Sequence, residues 1–149
     1  MEPLETIQKH LEDKIPGLTL KPEGGALLVP REKLLEAARF LKENEPYRMD
    51  YVSCLTGVDG KEYLESVAYF YSMVKKEGPI VLKVRVTKED PKVPSLVPLF
   101  RGAEYQEREA FDMFGIVYEG HPDLRRILMW EGFAHYPLRK DYVPEDQDV

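Results

Sequence analysis

The chain has 149 residues, 43% hydrophobic and 32% charged, which fits one folded domain with a core of its own. Its formal net charge of -6 gives no global support to nucleic-acid binding. A single cysteine, Cys54, excludes an internal disulfide framework and a cysteine-ligated iron–sulfur cluster held by this chain alone.

Leu4, Ile7, Leu11 and Ile15 recur at helical spacing and Pro16-Gly17 ends the pattern, which predicts a helix over 4–14. The charged opening MEPLETIQKHLED lacks the apolar segment of a signal peptide. No apolar run approaches the roughly 20 residues that span a bilayer. The expectation is a soluble, cytoplasmic chain that meets a membrane only through a partner. Leu18–Leu20 and Ala26–Val29 flank Lys-Pro-Glu-Gly-Gly and predict a hairpin. Pro30 opens a second helix over about 31–44, with Leu34, Ala38 and Leu41 in one stripe.

Three strands are predicted next, over 48–56, 62–73 and 80–87. Asp59-Gly60 favours a tight reversal after the first. In the second, Tyr63, Val67, Tyr69, Tyr71 and Met73 share a face. In the third, Ile80, Leu82, Val84 and Val86 alternate with Lys83, Arg85 and Thr87, so one sheet face is buried and the other partly wet. Cys54 falls mid-strand, where a buried, inert thiol is expected. Tyr69-Phe70-Tyr71 has no basic surround and reads as a packed sheet face rather than a base-stacking platform. Prolines 91, 94 and 98 frame a turn or short helix around 95–100. A better helix runs over about 103–114, with Gly115 placed to end it. Residues 116–149 read as an extended arm, its end after Tyr142 acidic and mobile. The fold class is α+β, a mixed or antiparallel sheet flanked by helices with an extended C-terminal arm. One domain over 1–149 is expected, with about 116–149 as an irregular docking arm.

The stretch 107–128 carries the densest chemistry. Arg108 has Glu104 and Asp112 at helical i±4 positions and is predicted to bridge both, though exposed pairs contribute only about 0.3–0.5 kcal/mol. Glu107 shares a stripe with Ala103, Ala110 and Phe114. A carboxylate that loses water there calls for a cation, with Arg101, Arg125 and Arg126 as candidates. Pro122 forces His121 out of the α region, so His121 is expected as a hydrogen-bonded turn residue. Leu124, Ile127 and Leu128 anchor the loop and leave Arg125 and Arg126 free for carboxylates or a partner's carbonyls. Arg139 and Lys140 form a positive patch on an acidic protein. Tyr136 and Tyr142, with Trp130, suit a protein contact; the alternative is an arm folded back on its own domain. His10, His121 and His135 are too scattered to read as a metal site, and no phosphate loop, dinucleotide fingerprint or nucleophile elbow is present. A stand-alone acid–base enzyme using Glu107, Asp112 and His121 would need a pocket uniting them.

Glu107-Arg108-Glu109, Asp112-Met113-Phe114, then His121, Arg125, Ile127 and Leu128 resemble the signature of the thirty-kilodalton subunit of respiratory complex I. That family includes the C subunit of bacterial NADH-quinone oxidoreductase and the J subunit of the plastid and cyanobacterial complex. The likeness extends to Asp90-Pro91, to Pro94-Ser95, and to His135, Pro137, Leu138, Arg139, Lys140, Asp141 and Tyr142. The resemblance implies a structural subunit with no flavin, iron–sulfur cluster or catalytic residue of its own. It implies docking in the hydrophilic arm against the hydrogenase-related large subunit (the forty-nine-kilodalton type), beside a neighbouring iron–sulfur subunit. The complex would carry iron–sulfur clusters and quinone, with FMN and NADH where NADH is the donor. On the same resemblance, Glu107, Arg108, Glu109 and Asp112 organise the helix–loop junction. His121, Arg125, Arg126 and the arm with Pro137, Arg139, Lys140, Asp141 and Tyr142 face the large subunit. The short reach beyond Tyr142 is also similar to subunits of membrane-bound hydrogenases, which makes such a complex the alternative.

Overall fold

Strand alternation sets the centre of the fold. The structure, a computed structural model, describes residues 1–144. In β5 (Glu77–Thr87), Ile80, Leu82, Val84 and Val86 are all 5% exposed or less, while Lys83 and Arg85 point to the other face. The hairpin β1 (Lys21–Glu23) and β2 (Ala26–Leu28) joins one edge of β5, with β2 and β5 parallel. On the other edge β4 (Tyr63–Ser72) pairs antiparallel with β5, and β3 (Tyr51–Asp59) antiparallel with β4. The order is β1-β2-β5-β4-β3, a mixed sheet. Its buried face packs on α1 (Leu4–Lys14) through Ile7 and Leu11, and on α2 (Leu34–Glu43) through Leu34, Ala37, Ala38 and Leu41. This is the α+β architecture that the patterning predicts.

Several boundaries move, each for a local reason. Leu18–Leu20 is not a strand: the Leu20 N–H donates to the Glu12 carboxylate at 2.9 Å, and the hairpin strand begins at Lys21. The second helix is preceded by a 3₁₀ turn at Arg31–Lys33. β3 runs through Gly57 to Asp59, and the reversal follows it, with the Asp59 carboxylate accepting the Lys61 N–H at 2.7 Å. In β4, Tyr63, Val67, Tyr69 and Tyr71 lie on the outer face with Glu65, and Leu64, Ala68 and Phe70 fill the core. Met73 lies beyond the strand and is exposed. Cys54 is exposed rather than buried, because the irregularity in β3 between Val52 and Cys54 interrupts the alternation.

A second, two-stranded sheet is absent from the sequence expectation. β6 (Lys92–Pro94) pairs in parallel with β7 (Val117–Glu119), and α3 (Glu104–Phe114) lies in the connection between them. Ile116 and Tyr118 are therefore buried core residues, so the first part of the expected arm belongs to the domain. From Gly120 to Pro144 the chain is irregular. The acidic end after Tyr142 is described only to Pro144; positions 145–149 lie outside the described residues. Gly115 takes a φ of +78° and ends α3, as its position suggests.

Gly57 sets how closely α3 approaches β3. A Cβ there would lie 2.5 Å from Cδ2 of Phe114. Gly57→Val should destabilise the fold by roughly 1–3 kcal/mol through overpacking. Phe114→Ala in the same chain should recover part of that loss, and urea unfolding of the double-mutant cycle measures the coupling. Additive effects would show that this contact does not seat the helix.

Candidate functional site

The junction between α3 and the loop after it is organised by Asp112. Its side chain is fully buried, yet it is an ionised acceptor with four donors. Oδ2 accepts the consecutive backbone N–H groups of Ile127, Leu128 and Met129 at 3.1, 2.6 and 2.9 Å. Oδ1 accepts Arg126 Nη1 at 2.6 Å. Burial pushes the Asp112 carboxyl up, but the Met129 amide, Arg126 and the Leu128 and Ile127 amides outweigh it and hold it below the usual aspartate value. Arg126 continues inward: Nη1 also reaches the Asp112 carbonyl, and Nη2 donates to the His135 carbonyl at 2.8 Å. Its side chain is 14% exposed and is thus not free for a partner.

Glu107 and Arg108 depart from the expected ion pairs. Glu107 is completely buried, and among the described residues it meets no cation. Its oxygens accept the Ser95 hydroxyl at 2.6 Å and the Leu96 N–H at 2.7 Å, which ties α3 to the segment after β6. Burial pushes its carboxyl up to about 7 against those two hydrogen bonds. Arg108 does not bridge Glu104 and Asp112. Its Nε and Nη2 donate to the carbonyls of Arg125 and Arg126, both at 3.1 Å. His121 is the hydrogen-bonded turn residue expected. Its Nδ1 accepts the Asp123 N–H, which leaves the proton on Nε2 to bond the Glu104 carbonyl, each at 2.9 Å. Glu109 is exposed on α3.

The arm folds back over the end of this helix. The Leu138 N–H donates to the Met113 carbonyl at 3.0 Å, and Arg139 Nε to the Phe114 carbonyl at 2.6 Å. Tyr136 and Arg139 pack so closely on Gly115 that a Cβ there would lie 2.7 Å from Arg139 Nη2. The Lys140 N–H donates to the Asp59 carboxylate at 2.7 Å. Asp59 also receives the Lys61 amide and Lys88, and these donors override the upward push of burial to hold its carboxyl low. Pro137 and Tyr142 are half-buried and Asp141 is exposed, 3.7 Å from Lys88. Arg125 remains 68% exposed and pairs only with its neighbour Asp123 among the described residues.

The same loop and arm expose several large apolar side chains among charged ones. Leu128, Trp130, Leu138 and Val143 are 62%, 66%, 55% and 80% exposed. An open cleft of about 600 Å³ lies here, lined by Trp130, Phe133, His135 and Tyr142 among others. Glu107, Asp112 and His121 form separate hydrogen-bond clusters, with Ser95, with Arg126 and with the Glu104 carbonyl respectively. The structure does not bring the three side chains together. Among the described residues, no group of three His, Cys, Asp or Glu side chains could hold a metal ion. Sequence reasoning missed Ser95 and Asp59 as anchors. Pro94-Ser95 is a faint signal for the first, while nothing local links Asp59 to an amide at position 140.

Residues 27–148 match the model of the respiratory-chain NADH dehydrogenase 30 Kd subunit family. The chain is 47% identical over 110 residues to the C subunit of NADH-quinone oxidoreductase from Chloroherpeton thalassium, covering 73% of this chain and 46% of that one. It is 41% identical over 140 residues to the corresponding C subunit from Roseiflexus sp., covering 93% and 80%. The second such C subunit of Rhizobium meliloti is 45% identical over 78% of this chain and 65% of its own length. The chain thus spans less than two thirds of two of these relatives. Among solved structures, a trypsin-resistant fragment of Nqo5 superposes with a TM-score of 0.60 at 31% identity, over 81% of this chain and 98% of the fragment. A chain of an archaeal membrane-bound sulfane sulfur reductase complex shares the fold, with a TM-score of 0.73 at 24% identity over 93% and 85%.

Asp112→Asn should remove the charge that gathers the three amides and leave Arg126 unpaired. A loss of about 3–5 kcal/mol is expected for breaking a buried pair. Hydrogen exchange should show Ile127, Leu128 and Met129 losing protection well before the sheet does; unchanged protection would contradict the anchoring role. Glu107 gives a pH signature of opposite sign to Asp112. Its folded-state pKa is raised from 4.5 to about 7, so its contribution is most favourable below about pH 4.5 and is lost as pH rises through about 7. Relative to the unfolded chain, burial makes ionisation of this carboxyl less favourable by on the order of 3 kcal/mol. Between about pH 5 and pH 8, urea midpoints of the wild type should fall relative to those of Glu107→Gln, which has no proton to lose. Parallel curves would refute this.

Proposed function

The chain belongs to the respiratory-chain NADH dehydrogenase 30 Kd subunit family, and from that premise we propose that it is a non-catalytic docking subunit of a complex I-like oxidoreductase. In this reading it seats against the hydrogenase-related large subunit of the hydrophilic arm, beside the neighbouring iron–sulfur subunit. Iron–sulfur clusters, quinone, FMN and NADH belong to the rest of the complex. The chain is one domain, its irregular arm from Gly120 to Pro144 serves as the docking element, and the membrane is met through the complex on its cytoplasmic side. No helix among the described residues is long and apolar enough to cross a membrane.

The observation that supports this most is an apolar outer surface on a segment fixed from within. Leu128 is 62% exposed, yet its N–H is held by Asp112 at 2.6 Å; Leu138 is 55% exposed, yet its N–H is held by the Met113 carbonyl at 3.0 Å. A loop held by buried hydrogen bonds while presenting large apolar side chains suits a partner surface, because little order is lost on binding. The predicted residues then take two roles. Glu107, Arg108, Asp112, Arg126 and Arg139 shape the surface from inside, with His121 and Pro137. Glu109, Arg125, Lys140, Asp141 and Tyr142 are placed to meet the partner.

Arg125→Glu combined with Leu128→Glu changes two exposed side chains and leaves the Asp112 cluster intact. Co-purification with the hydrogenase-related large subunit should fall about tenfold or more, as for hot-spot losses, with the urea midpoint of the isolated chain unchanged. Wild-type recovery would remove this face from the interface.

A further inference from the structure

Glu107 ties α3 to the segment that leaves β6 at a single point. Its oxygens accept the Ser95 hydroxyl at 2.6 Å and the Leu96 N–H at 2.7 Å, and among the described residues no other side-chain hydrogen bond joins α3 to residues 92–99. Ser95 Oγ also accepts the Val97 N–H at 3.1 Å, and the Ser95 N–H donates to the Glu119 carbonyl at 2.8 Å, so the tie reaches both strands of the small sheet. Arg108, next along the helix, and Asp112 hold the loop at 125–129. One helix thus carries both its own seat and the grip on the loop. The other titratable groups on α3, β7 and the loop are spoken for. Tyr118 of β7 is bonded to Ser66 of β4 at 2.8 Å, and burial pushes its phenol up and keeps it neutral. Arg108 points to the carbonyls of Arg125 and Arg126, Asp112 is met by Arg126, and His121 bonds the Glu104 carbonyl.

Resting on the docking reading above, we infer that Glu107 is a proton-operated clamp on the docking loop: neutral, it seats α3 against the segment after β6; ionised, it loosens that seat, and the loop held by Arg108 and Asp112 loosens with it. The physical ground is a carboxyl sealed from water with two donors and no cation. As an acid it keeps the Leu96 N–H on one oxygen and can donate to Ser95 Oγ from the other; as an anion it must recover water. Asp112 is the contrast on the same helix, where four donors, one a guanidinium, hold the ionised form. Water reaches Glu107 when α3 parts from residues 95–97, a contact with no other polar tie. β6 and β7 are three residues each, so this unit can yield while the five-stranded sheet stays closed. Burial pushes the Glu107 carboxyl up to about 7, which puts the change near neutral pH. A partner that needs the loop in place binds the neutral form better, and by reciprocity its binding takes up at most one proton.

The full chain with ¹³C-labelled glutamate carboxyls should be titrated by NMR, with Glu107 assigned through its own backbone amide. Its carboxyl should titrate near about pH 7. Between about pH 6 and pH 8, exchange protection at Leu96, Ile127, Leu128 and Met129 should fall about tenfold while that of β4 and β5 holds. Affinity for the hydrogenase-related large subunit should fall above about pH 7 by up to about tenfold per pH unit, the limit for one proton, and Glu107→Gln should bind without that slope. A Glu107 carboxyl that titrates near its ordinary 4.5, or protection at Leu96 that ignores pH, would overturn the inference. So would an equal slope in Glu107→Gln, which would assign the proton to another group such as His121. Should that variant fail to fold, the wild-type titration and exchange decide by themselves. Exchange that responds to pH while binding does not keeps the docking reading and overturns the clamp. Failure of the chain to bind that subunit at any pH overturns the docking reading, while exchange at Leu96 and over 127–129 still decides whether one proton governs the loop.

Discussion

One buried carboxylate fixes the course of the chain after the last strand. Three consecutive backbone amides can converge on a single oxygen only if residues 126–129 curl around it, and Asp112 supplies that oxygen from the last turn of α3. The arrangement does for a loop what a bound anion does for a backbone nest. Arg126 closes it on the other oxygen and carries the constraint on to the His135 carbonyl. Without this point charge the segment would have no ladder partner for its amides, and such groups must be satisfied somewhere. The loop is irregular in dihedral angles but as tightly specified as a helical turn.

The same logic runs along the whole of α3. Gln106 accepts the Leu55 N–H from β3 at 2.7 Å, Glu107 accepts the Leu96 N–H, and Arg108 donates to two carbonyls of the following loop. The Glu104 carbonyl is met by His121. The polar residues of this helix therefore bond the backbone of three neighbouring segments and form few ion pairs. That explains how so dense a charge cluster is tolerated at the core's edge: Glu107, Arg108 and Asp112 each supply a backbone group with a partner, which is worth more than an exposed ion pair. It also explains why Glu107 can sit without a cation, since at neutral pH it lies near its own titration point.

The parts of this architecture with period and length were legible in the sequence. α1, α2 and α3 and the three long strands are repeats of 3.6 or 2 sustained over ten residues or so, and Gly115 marks its helix end by conformation alone. The parts set by single long-range bonds were not. β6 and β7 are three residues each, too short for a period, and their parallel pairing depends on α3 lying between them. Asp59 reads as an ordinary turn aspartate, yet it holds the amide at position 140. The motif 107–128 identified the right neighbourhood, but the spacing of Arg108 suggested carboxylates as its partners when the fold gives it carbonyls. Spacing along a helix says which side chains can meet each other. It cannot say which backbone groups elsewhere lack a partner, and here those groups decide.

The buried bonds limit which groups the proposed docking surface has left to offer a neighbour. Charges that satisfy backbone groups inside the domain cannot also pair across an interface, and Arg126, Arg108, Asp112 and Glu107 are all committed in this way. What is left outward is aliphatic and aromatic, with Arg125, Lys140 and the scattered carboxylates at its rim. Affinity in that case rests on fit and on ring faces, and the rim charges set orientation and the rate of encounter. A ladder of guanidinium groups and rings links the committed interior to the open surface. It begins at the C-terminal carbonyl of α3, where Arg139 completes the helix, and reaches the open rings of Trp130 and Tyr142 through contacts that are all intramolecular. The proposed docking surface is thereby an extension of the domain's own packing.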